Sequence, residues 1–130
     1  MIDISQILLS KGGIIIDGSY VFDGDLNLSN MYITHLPENM QIEGSLWLGN
    51  TNITQLPDVI KVGKCISLYN TQIYKLPQNI KIGGTLTLRY CKNIKSVPDC
   101  LVCVTLDARD SGIDKDKFTI PSGITGNVYI

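Results

Sequence analysis

Apolar residues along this chain recur in fixed columns rather than in helical stripes. Leu36-Pro37, Leu56-Pro57, Leu76-Pro77 and Val97-Pro98 stand 20, 20 and 21 residues apart, and a fifth pair, Ile120-Pro121, follows a longer segment. On that interval Leu26, Leu46, Ile66 and Leu86 fall into one column, and Leu28, Leu48, Leu68 and Leu88 into the next. Ile33, Ile53, Ile73 and Ile94 form a third, Met40, Ile60, Ile80 and Leu101 a fourth, and Phe22, Ile42, Val62, Ile82 and Cys103 a fifth. A period near 20 with constant apolar columns predicts a solenoid, in which each repeat is one turn and equivalent residues stack on one another. One turn alone cannot bury its apolar side; stacked turns share a continuous core.

Within a turn, L-x-L reads as a short strand with both leucines inward, because side chains alternate across a strand. The following Asn-Thr-x-Ile, present in two copies, bends the chain, and its polar residues can satisfy backbone groups left open by the bend. Leu-Pro then fixes an extended or turn conformation, since proline locks its own φ and drives its predecessor away from helix. A second short alternating segment, such as Ile80-Lys81-Ile82, returns through glycine (Gly24, Gly44, Gly63, Gly83, Gly84) to the next strand. Each turn is too short for an ordinary helix.

The resulting motif, L-x-L-x-x-[NTC]-x-I-x-x-L-P, resembles the leucine-rich repeat. Its 20-residue period and Leu-Pro pairs are similar to the short bacterial LPX type found in secreted effectors and in small phage-encoded proteins. The resemblance covers about Tyr20 to Cys103 and implies a β-rich, leucine-rich-repeat-like stack of about five turns. The turn position that carries Asn in that family holds Met31, Thr51, Thr71 and Cys91 here. The leucine expected three residues before L-x-L is also missing. A flatter two-sheet β-solenoid is therefore the alternative architecture.

The ends follow the logic of a stack. Ile4, Ile7 and Leu8 after Asp3, halted by Gly12-Gly13, predict a short helical cap, so residues 1–19 are read as an N-terminal cap with a first strand. Residues 20–103 are four repeats, and residues 104–130 an irregular last repeat ending in an edge strand at Val128 and Ile130. Such an edge strand offers unpaired backbone groups, which raises a homodimer through that C-terminal edge as an expectation.

Composition adds that the chain, 130 residues with net charge −1, is one globular domain and no general polyanion binder. There is no basic leader with a long apolar core and no run of about 20 apolar residues, so a soluble cytoplasmic protein without membrane contact is expected. Charge is nevertheless unevenly divided. Lys61, Lys64, Lys75, Lys81, Arg89, Lys92 and Lys95 lie in a stretch without acids, whereas Asp17, Asp23, Asp25, Glu38, Glu43 and Asp58 precede it.

Candidate chemistry is sparse. Cys100 and Cys103 form a C-x-x-C, which with Cys65 and Cys91 would suit zinc or a disulfide. The repeat places them apart: Cys103 in an inward column, Cys91 at the turn, Cys100 outside and Cys65 on the strand face opposite Ile66. Asp107, Asp110, Asp114 and Asp116 lack the twelve-residue order of a calcium loop and are diluted by Arg109, Lys115 and Lys117. His35 is the single histidine and occupies a solvated slot shared with Gln55 and Lys75. With no paired carboxylates and no glycine-rich loop feeding a helix, neither catalysis nor a metal or cofactor is expected.

The displayed side of the stacked strands is more informative. Trp47 falls among Asn, Ser and Thr equivalents, so its ring is outward unless a terminal segment covers it. Tyr69 and Arg89 follow on later rungs. Trp, Tyr and Arg are the residue types that most often anchor interfaces. Trp47, Tyr69 and Arg89, ringed by Asn27, Thr87 and Tyr90, are therefore the candidate partner-binding residues, with an acidic protein surface as partner. A phage or mobile-element protein that blocks a bacterial host or defence protein is what the family resemblance implies. The rival expectation is nucleic-acid binding through a basic edge of Lys75, Lys81 and Lys92 beside Tyr74 and Tyr90.

Overall fold

The computed structural model describes residues 4–130; Asp3, expected at the head of the helical cap, lies outside the described residues. α1 (Ile4–Ser10) lays Leu8 against the core and ends where Gly12 turns left-handed at φ 96°. β1 (Ile14–Ile16) and β2 (Ser19–Phe22) then form an antiparallel hairpin. Its two-residue turn, Asp17-Gly18, has φ of 50° and 81°, the type I′ geometry that matches strand twist. The strand expected before residue 20 is thus present, with an antiparallel mate that the repeat pattern does not announce.

β3 (Leu26–Asn27), β4 (Met40–Ile42), β5 (Leu46–Trp47), β6 (Ile60–Val62), β7 (Ile66–Ser67), β8 (Thr85–Thr87), β9 (Thr105–Asp107) and β10 (Val128–Tyr129) follow. They divide between two sheets. Sheet A runs β1-β2-β4-β6 and continues beyond Val62 as single parallel bridges to Ile82, between Lys81 and Val102, and between Cys103 and Ile124. Sheet B runs β3-β5-β7-β8-β9-β10, parallel throughout. The protein is a β-solenoid with a short N-terminal helical cap.

Register follows the repeat column for column. Leu26 pairs with Leu46, Leu46 with Ile66, Ile66 with Leu86, and Leu86 with Leu106. All five apolar columns named from the sequence are buried, as are Leu36, Leu56 and Leu76 before their prolines. Leu106, Ala108 and Ile113 extend three of those columns into a further rung. That rung begins within the stretch read as irregular, because the 21-residue interval is undone at the next corner: Cys103 reaches Leu106 one residue sooner than Ile82 reaches Leu86.

Between the sheets the chain turns a corner where successive rungs approach closely. A Cβ at Gly63 would collide with the carbonyl oxygen of Glu43, and one at Gly83 with that of Gly63. Glycine there is a demand of rung spacing.

Three mutational outcomes follow. Leu48→Asp or Ile73→Asp buries an unpaired charge in the core and is expected to cost at least about 4 kcal/mol, unfolding the chain. Gly63→Ala is expected to cost about 1–3 kcal/mol by forcing two rungs apart. Asn27→Asp, which keeps the acceptor for the Ser29 N–H, should stay within about 0.5 kcal/mol of the parent in urea titrations.

Candidate functional site

Three ladders of hydrogen bonds fix the outward side of sheet B and the turn beside it. At the near corner, Asp25 Oδ1 accepts from the Ser45 N–H (2.7 Å), Ser45 Oγ from the Cys65 N–H (3.2 Å), and Cys65 Sγ from the Thr85 N–H (3.4 Å). Each side chain satisfies a backbone donor one rung on. Asp, Ser and Cys look unrelated in sequence, yet the position asks only for a short side chain bearing an acceptor.

Beneath the far turn, Thr51 Oγ1 donates to the Leu48 carbonyl (2.7 Å), and the Cys91 thiol donates to that of Leu68 (2.9 Å) with Thr71 Oγ1 at 3.5 Å. Burial pushes the Cys91 thiol above its ordinary pKa, and its hydrogen bond with Thr71 opposes the shift without cancelling it. Burial likewise raises Cys103. Both remain protonated at neutral pH and act as packing groups, while Cys100 is exposed. Among the described residues no three His, Cys, Asp or Glu side chains cluster so as to hold a metal ion.

The third ladder is exposed. Asn30, Asn50, Asn70, Tyr90 and Asp110 occupy one column, all left-handed with φ between 54° and 65°. Asn50 Nδ2 donates to Asn30 Oδ1 (3.0 Å) and Asn70 Nδ2 to Asn50 Oδ1 (2.9 Å). Asn adopts this conformation with little cost, whereas a bulky residue is strained there. The backbone records the difference: the N–H···O distances to the next rung are 2.9, 2.9 and 2.8 Å for the three asparagines and 3.4 Å for Tyr90. Tyr90 both ends the ladder and holds a costly backbone.

What Tyr90 gains is contact with its neighbours. Its ring meets that of Tyr69 edge-on, with centroids 5.3 Å apart and planes at 80°. Arg89 Cζ lies 5.2 Å and Lys92 Nζ 5.8 Å from its centroid. Arg89 also reaches Asp110 (3.3 Å), and its Nε is buried without an acceptor. Tyr69, Arg89 and Tyr90 are therefore brought together, and Lys92 and Asp110 join them.

Trp47 is outward and 37 % exposed, comparable to Tyr69 (40 %) and Tyr90 (37 %). It pairs with Asn27 on one side and Ser67 on the other, and Thr87 follows Ser67 in the same column. All six expected partner-binding residues thus lie on sheet B or its turn. Further along, Arg109 forks onto Asp107 (2.9 and 2.8 Å) and lies 5.1 Å from the Tyr129 ring. The hydrogen bonds from Arg109 hold the Asp107 carboxyl below the usual range against its partial burial.

The lysines of the expected basic edge are not brought together. Lys81 extends sheet A, Lys75 bridges to Gln55 on the side between the sheets, and Lys92 stands beside Tyr90. Sequence proximity misleads here because a 20-residue turn sends neighbours to different sides. The acidic loop is occupied internally: Asp107 and Asp110 face arginines, and Asp114 accepts from the Asp116 N–H. His35 is exposed beside Thr34. A concavity of about 630 Å³ forms an open groove on sheet A lined by Glu43, Asp58, Lys61 and Lys81 among others.

Tyr90→Asn should continue the asparagine ladder and relieve the backbone, raising the thermal midpoint by a few degrees, about 0.5–1 kcal/mol. A lower midpoint would show that the Tyr69 and cation contacts outweigh the strain. For Asp107, a carboxyl depressed in the fold stabilises it above the unfolded pKa near 3.9 and loses that contribution as pH falls through the lower folded value. Midpoints followed from pH 5 downward should therefore fall less steeply below about pH 4 for Asp107→Asn than for the parent.

No family model matches this chain, and no curated protein or solved structure matches it either; the face stands on its own geometry.

Proposed function

We propose that this chain is a non-catalytic protein-binding module of leucine-rich-repeat type, using the outward side of sheet B. The observation that carries this reading is Tyr90, a strained aromatic residue in a column otherwise suited to Asn, packed with Tyr69, Arg89 and Lys92. Backbone strain persists where its surroundings or its function reward it. Trp47 adds a third partly exposed ring two rungs earlier, over a neighbourhood of small residues: Ser45, Gly49 and Ser67. Rigid rings on a hydrogen-bonded scaffold offer large contact area with little side-chain entropy to lose.

Arg89 and Lys92 favour an acidic surface on the partner, with Asn27 and Thr87 contributing polar contacts at the rim. The repeat length and Leu-Pro spacing, similar to short bacterial and phage repeats, support a cytoplasmic role in which a phage or mobile-element protein blocks a bacterial host or defence protein. Lys81 on sheet A, Lys75 between the sheets and Lys92 beside Tyr90 favour protein binding over the alternative of nucleic-acid binding, which a continuous cationic groove would support.

Capture from nuclease-treated bacterial lysate tests this. A Trp47→Ala, Tyr69→Ala variant, shown to be folded by circular dichroism, should lose a protein that the parent retains. Truncating an anchor costs roughly 2 kcal/mol or more, about thirtyfold in affinity. Equal retention by both proteins, or retention of nucleic acid alone before nuclease treatment, would overturn the proposal.

A further inference from the structure

The edges of the two sheets differ in how they meet solvent. At the β3 edge of sheet B, Asn27 Oδ1 accepts from the Ser29 N–H, and at the opposite edge Asn127, just before β10, donates to the Tyr129 hydroxyl. Polar side chains at an edge discourage another strand from pairing there. Among the described residues, the β1 edge of sheet A has no such device. Ile14, Ile15 and Ile16 are 53, 57 and 49 % exposed, and Leu9 of α1 is 47 % exposed. Successive residues of a strand face opposite ways, so the monomer's core accounts for neither face of β1.

Backbone geometry shows what the edge can accept. In a two-residue hairpin, the residues flanking the turn exchange both hydrogen bonds, which directs the N–H and C=O of Ile16 and Ile14 toward β2. The N–H and C=O of Ile15 then point away from the sheet. We propose that β1 pairs antiparallel with β1 of a second copy, about a two-fold axis at Ile15.

This register satisfies the free Ile15 groups reciprocally and sets Ile14 opposite Ile16 of the other copy on both sides of the axis. Every pair is aliphatic, the kind that stabilises neighbouring strands. Charge agrees as well: antiparallel pairing brings the Lys11 end of one copy alongside the Asp17 end of the other, twice. A sheet running through both copies would leave each sheet B face open, so self-association and partner capture are separable. Four half-exposed aliphatic side chains are far fewer than the roughly 20–30 residues a side of a standard interface, so the dimer forms and dissolves with concentration.

Sedimentation velocity of the full chain, from about 1 to about 500 μM, tests the pairing. The weight-average mass should climb from 14.3 kDa toward twice that value. Ile15→Lys sets two like charges against each other at the axis, and the variant should remain monomeric at every concentration with an unchanged thermal midpoint. Should that variant unfold, Ile15→Thr keeps the β-branched shape and is expected to weaken association at least tenfold. A wild type that stays monomeric throughout overturns the inference, as does a folded Ile15→Lys protein that associates like wild type, which would move the contact to another edge such as β10.

Discussion

Rung spacing governs this molecule. Parallel strands pair at about 4.8 Å, and a chain that returns to the same place every 20 residues must set each side chain on its equivalents at that distance. A column therefore holds only residues that tolerate their own kind. Aliphatic groups pass that test inside, asparagines pass it by hydrogen-bonding one another, and the corner passes it at Gly63 and Gly83 by having no side chain. The ladder from Asp25 through Ser45 and Cys65 to Thr85 passes it by pairing side chain with backbone.

The interior was legible in the sequence for the same reason. Leu28, Leu48, Leu68 and Leu88 repeat one residue type, so the column is visible without knowing the chain's path. The ladders were much less visible, because their requirement is an acceptor atom or a left-handed backbone rather than an amino acid. Cys65 reads as a stray thiol until its sulfur is seen to receive the Thr85 N–H. The fifth rung was obscured by compensating changes in length on either side of Cys103. Asp17-Gly18 is a recognisable hairpin turn, but the pattern before β2 has too little of the repeat to show which strands it joins.

On the outward face, the sequence identified Trp47, Tyr69 and Arg89 as departures from small polar residues, and Tyr90 as their neighbour. Only the backbone distinguishes Tyr90 from the rest, since its φ of 61° follows from the column it inherits and not from its own preference. Charge was the poorest guide. Lys75, Lys81 and Lys92 form a group in a linear reading and are dispersed once the chain is wound, while Arg109 and Asp107, two residues apart, end as a forked pair.

Sheet A is a full ladder through β6 and a series of single bridges from Ile82 onward, whereas sheet B is continuous from end to end. In a stack whose turns interact with their immediate neighbours, such a change in pairing leaves sheet B with most of the regular strand pairing between the later rungs. Trp47 then stands where both sheets pair as full strands, while Tyr90 stands just beyond the change, on a rung that sheet B pairs in full and sheet A by single bridges. The two rings thus rest on different supports, one on a rung paired as strand in both sheets and the other on a rung whose regular pairing lies in sheet B alone.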